Sequence, residues 1–278
     1  MRCTYPKARD KKFKICKEVD KSAMITSKDN AKIKNVAALQ KQSKARREQK
    51  LYVVEGVKMF TELPKKSIRE IYATEAFADK NKELLKGLDV EVVDERIFAQ
   101  MSDTKTPQGI LCVVEQQQHS LDDLLALSKP LFLLLEDLQD PGNVGTIFRT
   151  AEGAGISGII MSENCVDIYN PKTIRGAMGS VYRVPFLYVK DMAVTVSELK
   201  KRNVKTYAAH LKGAGNYDQK DYTKASAFLI GNEGNGLSEE LAGLADELIK
   251  IPMEGNLESL NAAIAATILM YEGYRQRR

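Results

Sequence analysis

Along residues 130–278, short apolar runs alternate with stretches of helical periodicity. The alternation predicts a layered α/β domain with a parallel sheet. The clearest run is "LFLLL" at 131–135, five apolar residues bounded by turn formers. It suits a strand buried on both faces of a parallel sheet. Further strands are expected at 156–161, 185–188, 204–209, 225–230 and 248–251. Helices are expected between them at 144–154, 171–178, 192–202 and 238–244. A closing helix over 258–274 gathers Leu260, Ala263, Ile264, Thr267, Ile268 and Tyr271 on one wide face, and "RQRR" ends it with cations that suit a helix C-terminus.

Upstream the pattern changes. A basic helix is expected over 29–49, with Ile33, Val36, Ala37 and Gln40 along one modest stripe. Strands at 51–56, 68–74, 90–95 and 109–115, with helices near 57–63, 76–85 and 95–101, make a small α/β unit that ends near residue 116. The polar "QQQHS" and the following "LDDLLALSK" read as a linker with a short helix. Residues 1–23 hold lysine clusters with little periodicity, and Met24 opens a segment that reads as a natural N-terminus. The expected organisation is a basic disordered extension at 1–23, a small α/β domain at 24–116, a linker at 117–129 and a second domain at 130–278.

Charge sharpens this division. Residues 1–50 hold 16 of the 42 basic and 5 of the 37 acidic residues, a local net of +11 against +5 for the whole chain. A basic arm on a slightly acidic body points to a polyanion partner, the alternative being a solvated tail that aids solubility. Trp is absent, so any base stacking falls to Tyr, Phe, His or Arg. Cys3, Cys16, Cys112 and Cys165 are far apart, and so are His119 and His210. No zinc-ligand spacing is present, and free thiols in a reducing cytoplasm are expected. The longest apolar stretches fall short of the roughly 20 residues a membrane span needs, and the charged N-terminus has no secretory h-region.

Three stretches place Gly, Asn or Ser where a strand meets a helix: "DPGNVGTIFRTAEGAG" at 140–155, "LIGNEGNGL" at 229–237 and "IPMEGNLESLNAAIAATILMYE" at 251–272. Such junctions expose backbone N–H groups at the positive end of a helix. Asn143 is placed either to cap its helix or to touch RNA or substrate. Arg149, six residues on among the small residues Thr146, Ala151, Gly153 and Gly155, is placed either for a surface salt bridge or to offer its planar donors to a phosphate or ribose oxygen. Glu233 sits in a loop reading G-x-x-G-x-G. This differs from the dinucleotide fingerprint G-x-G-x-x-G, which counts against an ordinary Rossmann enzyme, and no P-loop sequence occurs. Ser259 is an N-cap candidate, and with Asn261 it could also present a hydroxyl and an amide to a ligand.

In this order the three stretches resemble the motifs of the SpoU-like (TrmH) branch of the SPOUT superfamily, S-adenosylmethionine-dependent RNA ribose 2′-O-methyltransferases. The resemblance covers residues 130–278, and a looser one, in "YVVEG" and "SDTKTPQGILCVV", likens 29–116 to the family's RNA-binding domain of ribosomal-protein type. It implies an α/β SPOUT-type fold with a parallel sheet and a trefoil knot, and a homodimer with the site near the subunit interface. It implies catalytic roles for Asn143, Arg149, Glu233 and Asn261. It implies S-adenosylmethionine contacts around Ala209, Gly231, Ile251, Met253, Ser259 and Leu260. The expected partner is structured RNA, with 23S ribosomal RNA ahead of transfer RNA and with no DNA or membrane. The competing reading is a non-catalytic RNA-binding or ribosome-assembly factor, which would have no evident need for Arg149, Glu233 and Asn261 together.

Overall fold

The computed structural model describes residues 24–213, 215–254 and 259–278; the expected extension at 1–23 lies outside the described residues. Helices α1 (Ala31–Lys41) and α2 (Ser43–Gln49) lead into a four-stranded sheet. It comprises β1 (Leu51–Glu55), β2 (Ile68–Thr74), β3 (Glu91–Val93) and β4 (Ile110–Glu115) in the order β1-β4-β2-β3. Between its strands lie α3 (Val57–Glu62), α4 (Glu75–Lys80), α5 (Lys82–Leu85) and α6 (Glu95–Met101). Side chains alternate across a strand, so β4 is buried on both faces. Leu111 and Val113 meet Ile33, Val36, Leu39 and Phe98 from the helices on one side. Ile110, Cys112 and Val114 face the other way, into a core shared with the second sheet.

The expected basic helix over 29–49 is broken at Gln42, whose backbone is extended. The cause is Arg46. Its buried guanidinium donates to the Leu39 and Gln40 carbonyls at the end of α1, at 2.7 and 3.0 Å, and to Asp167 across the molecule at 2.7 Å. These bonds satisfy carbonyls that a continuing helix would otherwise have used.

After α7 (Leu121–Leu125), a second sheet is built from β5 (Leu131–Leu135), β6 (Gly158–Ser162), β7 (Phe186–Val189), β8 (Lys205–Ala209), β9 (Gly215–Asn216), β10 (Ser226–Ile230) and β11 (Glu247–Lys250). Its order is β7-β6-β5-β10-β8-β11-β9, and every pairing is parallel. The α/β reading with a parallel sheet holds, and all five residues of β5 are buried. Helices α8 (Pro141–Gly153), α9 (Pro171–Ala177) and α12 (Ala262–Arg277) cover one face, through Ile147, Phe148, Ala266 and Leu269. Helices α10 (Met192–Lys201) and α11 (Glu239–Leu244) cover the other, through Val196, Leu199 and Leu241. Among the described residues no helix is long and apolar enough to cross a membrane.

The two sheets share one apolar core. The Tyr52 and Tyr169 rings lie 4.4 Å apart between centroids, and Gln117 donates from its side chain to the Tyr182 carbonyl at 2.8 Å. The linker is therefore packed against the second unit.

Candidate active site

Strands β5, β10, β8 and β11 are consecutive neighbours and all parallel, so the loops leaving their C-terminal ends gather at one edge. Ligands of open α/β sheets bind at such an edge. Here the loops enclose a cavity of about 430 Å³. Ala209, Gly231, Ile251, Met253, Ser259 and Leu260, the six positions singled out from the sequence, all line it. His210, Lys212 and Glu239 also line it, and nothing in the motif pattern marked them. Lys212 pairs with Glu239 at 2.9 Å, tying the loop after β8 to the start of α11.

The glycine loop is held from within by Asn232. Its side-chain oxygen accepts from Gly234 N at 2.8 Å, and its amide donates to the Asp137 carbonyl at 2.7 Å. Glu233 is thereby turned toward the start of α8. It accepts from the Gln139 and Asp140 backbone N–H groups, each at 3.2 Å, and from the Asn143 amide at 3.0 Å. The Asn143 oxygen in turn accepts from the Asn261 amide at 3.0 Å. One hydrogen-bonded chain, Asn261–Asn143–Glu233, joins all three sequence motifs. Burial works to raise the Glu233 pKa, but the hydrogen bonds from Asn143, Gln139 and Asp140 outweigh it and hold the carboxyl below its ordinary value.

Two capping expectations change. Asn143 does not cap α8. Asp140 does, accepting from Asn143 N at 2.8 Å with Pro141 in the first turn, and this frees the Asn143 side chain for the network. The closing helix begins at Ala262 and not at residue 258, and its cap is Asn261 and not Ser259. The Asn261 oxygen accepts from Ala263 N and Ile264 N at 2.9 and 3.3 Å while its amide reaches Asn143. The expected residue 258 lies outside the described residues.

Arg149 stands apart from this chain. It lies on α8, is exposed, and its side chain makes no hydrogen bond or ion pair with any described residue. An exposed, unpartnered guanidinium can offer two parallel N–H donors to a phosphate or carboxylate without first breaking a bond.

Residues 130–271 match the SpoU rRNA Methylase family, and residues 30–112 match the MRM3-like substrate binding domain. The chain is 32% identical over 249 residues to the 23S rRNA (guanosine(2553)-2′-O)-methyltransferase RlmP of Bacillus subtilis, covering 89% of this chain and 97% of that one. Among solved structures it resembles an AdoMet-bound rRNA methyltransferase from Sinorhizobium meliloti, with a TM-score of 0.78, 31% identity, and coverage of 91% and 97%. It also resembles the SpoU methyltransferase AviRb from Streptomyces viridochromogenes, with a TM-score of 0.80, 27% identity, and coverage of 89% and 98%. This fold, with its cavity at the strand C-termini and these likenesses, defines an RNA methyltransferase that uses S-adenosylmethionine. The chain belongs to the SpoU rRNA Methylase family.

Proposed function

We propose that this protein methylates a ribose 2′-hydroxyl of 23S ribosomal RNA, with the methyl donor in the cavity at the ends of β8, β10 and β11. The observation that carries the proposal is the Asn261–Asn143–Glu233 chain, which holds three loops together at the rim of that cavity. The cavity volume of about 430 Å³ lies in the range of small-molecule sites, roughly 300–1,000 Å³. Its walls suit a nucleoside: apolar Ile230, Leu237, Ile249 and Ile251 for a base, with backbone around Gly231 for its polar edges. We assign Ala209, Gly231, Ile251, Met253, Ser259 and Leu260 to cofactor contact. The trefoil knot implied by the resemblance belongs to the same reading, supported by the convergence of the 209–212, 230–237 and 249–253 segments on one cavity.

S-adenosylmethionine, when bound, would supply a methyl group on a sulfonium: transfer to the ribose oxygen would break the sulfur–methyl bond, leave the neutral thioether of S-adenosylhomocysteine, and release the hydroxyl proton to solvent. The chain's residues must then seat the ribose and stabilise the oxygen as its proton leaves. A guanidinium keeps its proton at neutral pH, so Arg149 acts as a donor to the adjacent phosphate or developing alkoxide and not as a base. Glu233 and Asn143 orient the ribose and the motif loops. The exposed cations Lys41, Arg47 and Lys50 around α2 supply phosphate contacts that position RNA without reading its sequence. Ribosomal RNA is favoured because relatives that match across both parts of this chain, RlmP and the Sinorhizobium enzyme, are named for it. A cytoplasmic location follows from that substrate.

The test is transfer of labelled methyl from S-adenosylmethionine to total RNA from cells lacking the protein. The expected result is label at one ribose of 23S RNA, resistant to alkaline cleavage. Label confined to transfer RNA would move the assignment to that substrate. Absence of cofactor binding would favour the non-catalytic RNA-binding reading.

We also propose a homodimer formed through α12. One face of this helix is buried on the sheet and α8, yet Ile264, Tyr271 and Tyr274 are 50%, 47% and 40% exposed along the opposite face. A stripe of large apolar side chains on a helix beside the site fits a second copy of the chain. Sedimentation should give twice the 31.0 kDa chain mass, and Ile264→Glu with Tyr271→Glu should return a folded monomer. A monomeric parent protein at micromolar concentration would refute the dimer.

A further inference from the structure

Glu152 lies in the last turn of α8, three residues after Arg149. Residues at that spacing are neighbours on a helix surface, and an Arg–Glu pair there forms readily. In this protein it does not form. The Glu152 carboxylate is turned to the segment before β7, where it accepts from Ser180 Oγ at 2.6 Å, from Arg183 Nη2 at 3.0 Å and from Arg183 Nε. Arg183 is itself held from the other side, where Nη1 donates to Glu62 of α3 at 3.0 Å. The hydrogen bond from Arg183 is the main reason the Glu152 carboxyl lies below its ordinary pKa, so the group is an anion throughout the neutral range. Arg149, its helical neighbour, is left with no partner among the described residues.

We propose that Arg183, with Ser180, sequesters the Glu152 carboxylate and so keeps Arg149 free to engage RNA. Arg183 is thus a positioning residue that acts through Glu152, and the inference rests on the reading of Arg149 as the RNA-facing donor. Without Arg183, the carboxylate would regain the rotamers that reach Arg149. It would then compete with the RNA phosphate for the same N–H donors, and as a nearby anion it would repel that phosphate. Glu62 anchors Arg183 from the small unit, so the segment that withholds Glu152 is itself fixed by the unit that matches a substrate-binding domain.

The test compares Arg183→Ala, Glu152→Gln, the double variant and Arg149→Ala in the full chain, measuring methyl transfer to RNA, S-adenosylmethionine binding and thermal unfolding. Arg183→Ala should lower kcat/KM for RNA by about fivefold to tenfold, the scale of an exposed ion pair plus a nearby repulsion, with cofactor affinity unchanged. The double variant should regain the activity of Glu152→Gln alone, because the competing carboxylate is gone. A role in merely holding the two units together predicts no such recovery. A double variant as slow as Arg183→Ala, or an Arg183→Ala enzyme at the parental rate, would overturn the proposal. If Arg183→Ala does not fold, Arg183→Gln with and without Glu152→Gln should show the same recovery. An active Arg149→Ala enzyme would instead remove the reading of Arg149, and the proposal with it.

Discussion

Arg149→Ala is expected to lower the rate of methyl transfer to RNA by about a hundredfold to a thousandfold, while S-adenosylmethionine binding and the unfolding temperature stay as they are. That scale is what removing one preorganised donor to a developing oxyanion typically costs. The structure separates this effect from destabilisation. Arg149 is exposed and has no partner among the described residues, so its truncation strands no buried group. Arg149→Lys should fall between the two, because an ammonium keeps the charge but loses the planar pair of donors. Single-turnover transfer of labelled methyl, alongside calorimetric cofactor binding, measures both quantities. Parental activity in Arg149→Ala would exclude the residue from the reaction.

The parts of this molecule that local pattern governs were legible in the sequence. The five apolar residues of β5 predict a strand covered on both faces, and that is where it lies. Helices α9 and α10 begin at the positions expected from periodicity, Pro171 and Met192. What periodicity does not carry is partnership across the chain. That β5 pairs with β10, and that β8 lies between β10 and β11, depends on crossovers that leave no mark in a strand's own composition. The break between α1 and α2 depends on Arg46 reaching Asp167, 121 residues away. A helical pattern alone cannot show that a cation in it will be buried.

The candidate site shows the same division. The three motifs were visible, because Gly and Asn at strand–helix junctions have local causes. Their mutual contact was not, since Glu233 meets Asn143 from 90 residues away and Asn261 meets it from 118. The Asp140-Pro141 pair carried a cap signal that would have released Asn143 for another role. At the third motif both Ser259 and Asn261 are cap formers. The contact from Asn261 to Asn143 adds a bond to the capping position found there. The unpaired state of Arg149 was also invisible, because it depends on where Glu152 points.

The glycine loop gives the second large effect. Gly231→Ala is expected to weaken S-adenosylmethionine binding by roughly a hundredfold, whereas Gly234→Ala, three residues on, should change it by no more than about twofold. A Cβ at Gly231 would lie well under 3.0 Å from the backbone of Gly236 and Leu237, a separation that real Cβ atoms do not show. No side chain can rotate away to relieve this clash, so the loop itself must move. Overpacking of that kind costs about 1–3 kcal/mol, and a cost of about 2.7 kcal/mol is a hundredfold in affinity. The displaced segment carries Glu233, so the bonds to Gln139, Asp140 and Asn143 would be strained with it. At Gly234 the nearest atom to an added Cβ is the Asn232 side-chain oxygen at 3.4 Å, an ordinary contact. The same chemical change in the same loop thus has two outcomes, set by whether the backbone must yield. Equilibrium dialysis with S-adenosylmethionine, with thermal unfolding as the control for folding, measures the difference. Equal affinity in the two variants would show that the Gly231–Leu237 loop does not shape the donor site, and the cofactor contacts would then have to be sought on the loops after β8 and β11 alone.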